Sequence, residues 1–156
     1  MTTPYEHTQR SRRMATLMGA AAVGALAAAI APSREAMPTG PRVTLLAVVG
    51  ALAASAVVFS RLTIRVAGGE LRWHFGAGML PRSVPIAAIA HAEPTRTGVL
   101  DGWGIHFTMR GWLYNVAGRD AVLVTRTDGK RFLLGTDEPR ALADAILEAR
   151  ATSSGR

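Results

Sequence analysis

Histidine is the residue type in this chain most suited to metal binding, and its spacing decides whether a metal site is expected. The four histidines are His7, His74, His91 and His106. Neither an HExxH nor a His-x-His spacing joins any two of them. Because a metal site needs three or four converging ligands, we interpret the histidines as solvated side chains. The sequence predicts neither a metal nor a cofactor.

Acid–base and nucleophilic chemistry lack a recognisable pattern as well. The acidic candidates Glu93, Asp101 and Asp120 lie near separate turns, and no spacing brings two of them together. Ser83 has no nucleophile-elbow context, and Gly102-x-Gly104 lacks the rest of a phosphate loop. The absence of Cys excludes a thiolate nucleophile, a disulfide framework and Cys-ligated metal. The chain is therefore expected to have no catalytic residues and not to be an enzyme.

The basic residues indicate a membrane rather than a nucleic acid. The 156 residues contain 18 Lys+Arg and 11 Asp+Glu, for a net charge of +7. This excess is spread over the N-terminal tail, a loop near residue 40 and the C-terminal part, so no segment is dense enough for a nucleic-acid footprint. With 17 Arg, one Lys and 28 Ala, the composition is typical of a GC-rich bacterial genome.

Two long uncharged runs dominate the first 60 residues. They cover Met14–Ala31 and Val43–Phe59, and neither has a polar face at helical spacing. Each is about 26 Å long as a helix, close to the ~30 Å hydrocarbon core of a bilayer. The sequence predicts a polar basic tail over 1–13, followed by a transmembrane hairpin over 14–60 with helices at about 14–31 and 43–60. Two helices buried in a soluble core are the alternative.

The first run has a second interpretation, a cleaved signal peptide. Arg12-Arg13 precedes the apolar stretch, and Ala29-Ile30-Ala31 resembles a cleavage site. Both interpretations give the same topology, because basic residues precede the first helix and follow the second. We expect the bacterial inner membrane, with the domain after residue 60 in the cytoplasm and, without cleavage, both termini there.

Residues 61–150 read as short strands followed by one helix. Segments 61–66 and 70–75 alternate apolar and polar residues around a Gly-Gly turn, as half-buried strands in a hairpin do. The other predicted strands are 86–93, 104–109, 112–116, 121–126 and 131–135. The predicted helix has an apolar stripe of Leu142, Ala145, Ile146 and Ala149. This α+β pattern favours seven antiparallel strands in a bent sheet or partial barrel, closed by the helix.

Residues 102–146 resemble bacterial pleckstrin-homology-like domains, which occur in small membrane proteins. The resembling features are the segments GWG at 102–104, YNV at 114–116 with Gly118, and GTD at 135–137 with Pro139 and Leu142. The resemblance implies a PH-like fold, which we place over 61–150, and a binding or scaffolding role. We expect residues 151–156 to be a disordered tail. It implies no particular ligand, because one fold hosts many functions.

Two groups of residues are candidates for a binding surface. Arg61, Arg65 and Arg72 share the polar face of the first predicted hairpin, and Arg82 can join them. We expect these four arginines to contact lipid headgroups or a partner. Non-specific headgroup contact is the simpler explanation.

The second group is aromatic and polar. It comprises Trp103, Trp112, Tyr114 and Asn115. By the resemblance these residues are a possible partner surface, and the alternative is a core with an Asn that pairs with a turn backbone.

The sequence thus favours a membrane-anchored, non-enzymatic protein that presents a cytoplasmic PH-like domain to a protein partner or to lipid headgroups. The alternative is an accessory subunit that docks through its helices onto a larger membrane complex.

Overall fold

The computed structural model describes residues 4–30, 38–98, 101–102 and 104–154. Within these ranges the chain forms three helices and two β-sheets, which confirms the predicted α+β class. The helices are α1 (Arg12–Ile30), α2 (Thr39–Val58) and α3 (Pro139–Ser154). The first sheet contains β1 (Tyr5–Arg10), β2 (Arg61–Ala67), β3 (Glu70–Phe75) and β4 (Met79–Pro85). The second contains β5 (Ile89–Arg96), β6 (Gly104–Thr108), β7 (Gly111–Asn115), β8 (Asp120–Arg126) and β9 (Arg131–Gly135).

The first sheet is antiparallel in the order β1-β2-β3-β4. Its β2–β3 hairpin confirms the predicted strands at 61–66 and 70–75, and alternate residues such as Leu62, Ile64 and Trp73 are buried. β4 was not predicted, because Pro81 and Pro85 within it are typical of loops. β4 is an edge strand, where a missing N–H is tolerated.

The N-terminal segment is a strand and not a free polar tail. β1 pairs with β2 over six residues, from Tyr5 opposite Val66 to Arg10 opposite Arg61. The pairing continues into the helices, where the Ser11 N–H donates to the Ser60 carbonyl over 2.8 Å. β1 also contacts the rest of the domain, because the Gln9 amide donates to the Ala117 carbonyl over 3.1 Å. The helical segment is therefore inserted between two neighbouring strands of one sheet.

The second sheet corrects the prediction of one seven-stranded, antiparallel sheet. Its order is β5-β8-β9-β7-β6, and β7 runs parallel to β9, with Leu113 opposite Leu133. The hairpin β6–β7 is thereby added at the β9 side of the antiparallel strands β5, β8 and β9. Strand pairing of this kind depends on distant segments, so the local sequence pattern does not encode it.

The main core lies where the two sheets and α3 meet. It contains Phe75 from the first sheet, Leu134 from the second, and Leu142 and Ile146 from α3. The apolar stripe predicted for the last helix is confirmed, since Leu142 and Ile146 are fully buried and Ala145 and Ala149 pack beside them. α3 continues to Ser154, beyond the predicted end of the domain at residue 150.

The two helices α1 and α2 pack against each other, but they differ in their fit to a membrane. Among the described residues only α2 is long and apolar enough to cross a bilayer. Over the residues whose side chains the structure describes, the apolar stretch of α1 runs from Thr16 to Ile30 and spans about 22 Å, which is shorter than the ~30 Å hydrocarbon core. The prediction of two transmembrane helices is therefore corrected to one candidate span.

Deletion of residues 1–10 tests the structural role of β1. The deletion exposes the edge of β2 and removes the Gln9 contact, so we expect a loss of about 3–6 kcal/mol in unfolding free energy, at ~1 kcal/mol per backbone hydrogen bond. The measurement is denaturant unfolding of the full chain and the shortened chain in the same neutral detergent. Glu6→Gln, at an exposed position of the same strand, is the control and should change stability little. Equal stability of the full and shortened chains would contradict the role of β1.

The stability of the contact between β1 and Glu138, the residue before α3, depends on pH in the alkaline range because the contact includes the Tyr5 phenol. Burial, reinforced by the negative charge of Glu138, raises the pKa of Tyr5 from 10.0 to about 12. The neutral phenol is thus favoured in the folded state, so its contribution is complete below pH 10 and is lost as the pH rises towards 12. We expect thermal stability to decline less steeply over this range in Tyr5→Phe than in the native chain. Parallel declines would contradict this assignment.

Candidate functional site

A groove lies between the β4 side of the first sheet and strands β7 and β9 of the second. Its volume is about 200 Å³. The lining residues, called the basic groove below, are Trp73, Arg82, Ser83, Val84, Trp112, Tyr114, Arg126, Lys130, Arg131 and Phe132. The groove therefore combines aromatic rings with four cations, and no acidic residue of the described chain lines it.

Three aromatic rings form one wall of the basic groove. Trp73 stacks on Phe132 with ring centroids 5.1 Å apart, and Tyr114 meets Trp73 edge to face at 5.2 Å. The alternation of β3 directs Trp73 inward, and the parallel pairing of β7 with β9 brings Tyr114 next to the strand of Phe132. Packed rings of this kind hold each other in a fixed orientation.

The cations of the groove come from both sheets. Arg82 is the cross-strand partner of Trp73 and therefore shares the face of β3 that carries Trp73. Arg126 ends β8, and Lys130 and Arg131 flank the start of β9. Asp128, in the turn between these strands, lies 3.5 Å from Arg126 Nη2 and 3.8 Å from Lys130 Nζ. This single carboxylate leaves the groove with an excess of positive charge.

Two N–H donors of the groove have no acceptor among the described residues. The indole Nε1 of Trp73 is buried and unpaired, and the residue as a whole is only 4% exposed. The Nε of Arg126 is buried and unpaired as well. A buried donor without an acceptor costs about 1–3 kcal/mol. The arrangement is thus suited to a ligand that brings oxygen acceptors and negative charge.

An exposed apolar tip adjoins the basic groove at the turn between β6 and β7. The tip consists of Phe107, Met109 and Trp112, which are 70%, 101% and 48% exposed. Phe107 and Trp112 pack edge to face at 5.8 Å. A second hollow, of about 350 Å³, shares Trp112, Lys130 and Arg131 with the groove and extends over the tip. The groove and the tip therefore form one continuous surface.

Gly111 holds this tip against β9. Its φ of +115° lies in the region that favours glycine, and a Cβ at this position would overlap the carbonyl of Arg131. The close approach follows from the parallel pairing of β7 with β9.

The predicted four-arginine patch is divided in the structure. Arg65 and Arg72 are cross-strand partners on the outer face of the first sheet and line a hollow of about 270 Å³. Arg65 lies 3.6 Å from Glu6, and Arg72 lies 2.5 Å from Glu70, so both charges are partly balanced.

The other two members of the predicted patch lie elsewhere. Arg61 is at the helix end of β2, four residues from Arg65, or about 13 Å along the strand. Arg82 lies in the basic groove, because it is the cross-strand partner of Trp73, whereas Ser83 is the partner of Arg72.

The predicted aromatic set is also divided. Trp112 and Tyr114 line the basic groove. Asn115 is fully buried, and its side chain pairs with turn backbone, donating to the Gly118 carbonyl and accepting from the Ala117 N–H. The alternative interpretation of Asn115 as a turn residue agrees with this geometry. Trp103 lies outside the described residues.

Among the charged and aromatic residues of the groove, the sequence reasoning did not identify five: Trp73, Arg126, Lys130, Arg131 and Phe132. The signal that could have found some of them is the segment RTDGKR at 126–131, where three cations surround one tight turn. Trp73 carried no such signal, because an inward aromatic residue on a half-buried strand normally belongs to the core.

The histidines lie apart in the described structure. His74 is in the first sheet and His106 in the second. His7 contacts the start of α3, with Nε2 2.6 Å from Asp137 Oδ1 and Nδ1 3.3 Å from Glu138 Oε2. No three potential metal ligands converge among the residues that the structure describes.

No protein-family model matches this chain, and no curated protein matches it significantly. Geometry and physical chemistry are therefore the basis of the functional argument.

The buried contact between Asn115 and Gly135 can be tested by a double-mutant cycle. A Cβ at Gly135 would overlap the Asn115 side chain, so we expect Gly135→Ala to lower the unfolding free energy by about 1–3 kcal/mol. Asn115→Ala alone should also destabilise, because it removes the pairing with the turn. In the double variant the overlap with the Asn115 amide is removed and only the 2.9 Å approach to its Cβ remains, so the loss should be smaller than the sum of the two single losses in denaturant unfolding. Additive losses would show that the two residues do not pack together.

Proposed function

We propose that this chain is a membrane-anchored, non-enzymatic binding protein whose domain lies at the cytoplasmic face of a bacterial plasma membrane. The first support is α2, which has the length and composition of a membrane span. None of its residues is buried within the described structure, so the apolar surface that faces away from α1 lacks a protein cover. A bilayer supplies such a cover.

The observation that carries the proposal is the pairing of β1 with β2 at the base of the helices. Because the two strands are hydrogen-bonded neighbours, α1 leaves the domain where α2 returns to it. A crossing by α2 therefore requires α1 to accompany it, and α1 is the weaker membrane segment of the two. In this arrangement the domain is held directly at the membrane surface and not on a flexible linker.

The basic residues favour the cytoplasmic side. Arg10 and Arg61 are cross-strand partners at the helix end of the first sheet, and Arg12 begins α1. Positive charge next to a membrane helix is characteristic of its cytoplasmic end. Cleavage after Ala31 would remove β1 together with α1 and expose the edge of β2, so the proposal retains the N-terminal segment.

The proposed PH-like fold is supported by the class of the domain, because the described chain combines two β-sheets with a C-terminal helix. With four strands in one sheet and five in the other, the described chain has two strands more than the seven that the sequence predicts.

The basic groove and apolar tip are the proposed ligand site. Cations, aromatic rings and exposed apolar side chains recognise a partner or a headgroup by contact, and the lining residues include no acid–base pair. We therefore propose binding and not catalysis.

A second candidate is an accessory subunit docked onto a larger membrane complex. The uncovered surface of α2, rich in Ala with a Gly at position 50, also suits close packing against another membrane helix. Stoichiometric co-purification with one complex in mild detergent favours this candidate.

Site-specific labelling tests the proposed topology, and the absence of Cys gives an unlabelled background. Glu6→Cys in β1 and Glu93→Cys in β5 should react with a membrane-impermeant maleimide only after the cells are permeabilised. Gly40→Cys, near the start of α2, should react in intact cells. Labelling of Glu6→Cys in intact cells, or release of the chain from membranes by alkaline carbonate, would overturn the anchored topology.

A further inference from the structure

We propose that the basic groove binds a phosphate group, carried either by a lipid headgroup or by a soluble phosphorylated molecule. This inference deepens the proposed function by naming the ligand class, and it depends on the assignment of the groove as a binding site. Neither the fold class nor the predicted arginine patch assigned this position, since the patch was placed on the outer face of β2 and β3.

The indole of Trp73 is the first observation that points to a ligand. It is 4% exposed, and its Nε1 has no hydrogen-bond partner in the described chain. Stacking on Phe132 and edge contact with Tyr114 prevent the ring from turning this donor towards water. Because buried donors in proteins are normally paired, this side chain of the groove lining has an unmet hydrogen bond in the described chain.

Arg126 supplies an independent observation in the same groove. Its Nε is buried and unpaired, while its Nη2 lies 3.5 Å from Asp128. The guanidinium is thus oriented from one side by a carboxylate and has a donor left over on another. This arrangement leaves one buried N–H of a groove-lining side chain without an acceptor among the described residues.

The charge distribution favours phosphate over a carboxylate. Arg82 approaches from the first sheet, whereas Arg126, Lys130 and Arg131 approach from the second. A carboxylate can be satisfied by one arginine, but a phosphate has several oxygens and can accept from donors on both sides. Four cations against the single Asp128 match an anionic group with several acceptor oxygens.

The apolar tip distinguishes the two sources of the phosphate. Phe107 and Met109 are exposed beside the groove and would contact acyl chains if the phosphate belongs to a lipid. A soluble phosphate ester has no acyl chain that would contact these two side chains. Variants at the tip should therefore affect one source only.

The test follows the Trp73 indole signal in proton–nitrogen spectra of the ¹⁵N-labelled full chain in neutral detergent. The chain has three Trp, so Trp73→Phe assigns the signal. The probes are inorganic phosphate, glycerol phosphate and micelles doped with phosphatidylglycerol, each compared with chloride at equal ionic strength. We expect a saturable downfield shift of the Trp73 signal with at least one phosphate probe and no shift with chloride.

Matched arginine variants locate the site. Arg126→Gln and Arg82→Gln should each weaken binding about tenfold or more, because each removes a charge-assisted hydrogen bond. Arg65→Gln changes the net charge equally on the outer face and should leave binding unchanged. Arg82 is exposed, so its variant remains informative if Arg126→Gln fails to fold.

Each outcome is decisive. Shifts with free phosphate indicate a soluble ligand, and shifts with doped micelles alone, reduced by Phe107→Ser, indicate a lipid; both support the proposal. No shift with any probe, an equal shift with chloride, or equal effects of Arg65→Gln and Arg82→Gln would overturn it. The spectra are recorded in detergent, so their result is independent of the topology that the labelling experiment tests.

Discussion

The antiparallel pairing of β1 with β2 is the interaction on which the rest of the structure depends. It closes the sheet at the base of both helices and joins residues 5–10 to the domain. From β1, Gln9 reaches the turn after β7, and His7 reaches the start of α3. One strand therefore connects the helices, both sheets and the final helix, so the domain and its helices behave as one unit.

The elements with a local pattern were predictable, and those that depend on distant partners were not. The residues of the β2–β3 hairpin and of the stripe on α3 each repeat at the period of their own structure. β1 carries no such repeat, since its polar residues are ordered by β2. The parallel pairing of β7 with β9 likewise arises from tertiary packing. β4 was not predicted because its two prolines are typical of loops.

The candidate site was predictable only in part, for the same reason. Arg82, Trp112 and Tyr114 were selected from the sequence, but in two separate groups. Their meeting depends on the register of β4 against β3, which places Arg82 on the face of Trp73. An arginine in an unpredicted strand has no predictable face, so it was assigned to the wrong neighbours. The unpaired indole N–H could not be anticipated, because hydrogen-bond satisfaction is a property of the folded chain.

The position of the helices between β1 and β2 also orders the events of synthesis. β1 leaves the ribosome first, yet its partner emerges only after residues 11–60. In the proposed membrane topology, the first sheet can then be completed only in a chain whose helices have brought both strands to the same compartment. A chain that inserts with the opposite orientation of one helix would keep an open β-edge, which favours aggregation and proteolysis. In that topology the fold couples survival of the molecule to correct insertion.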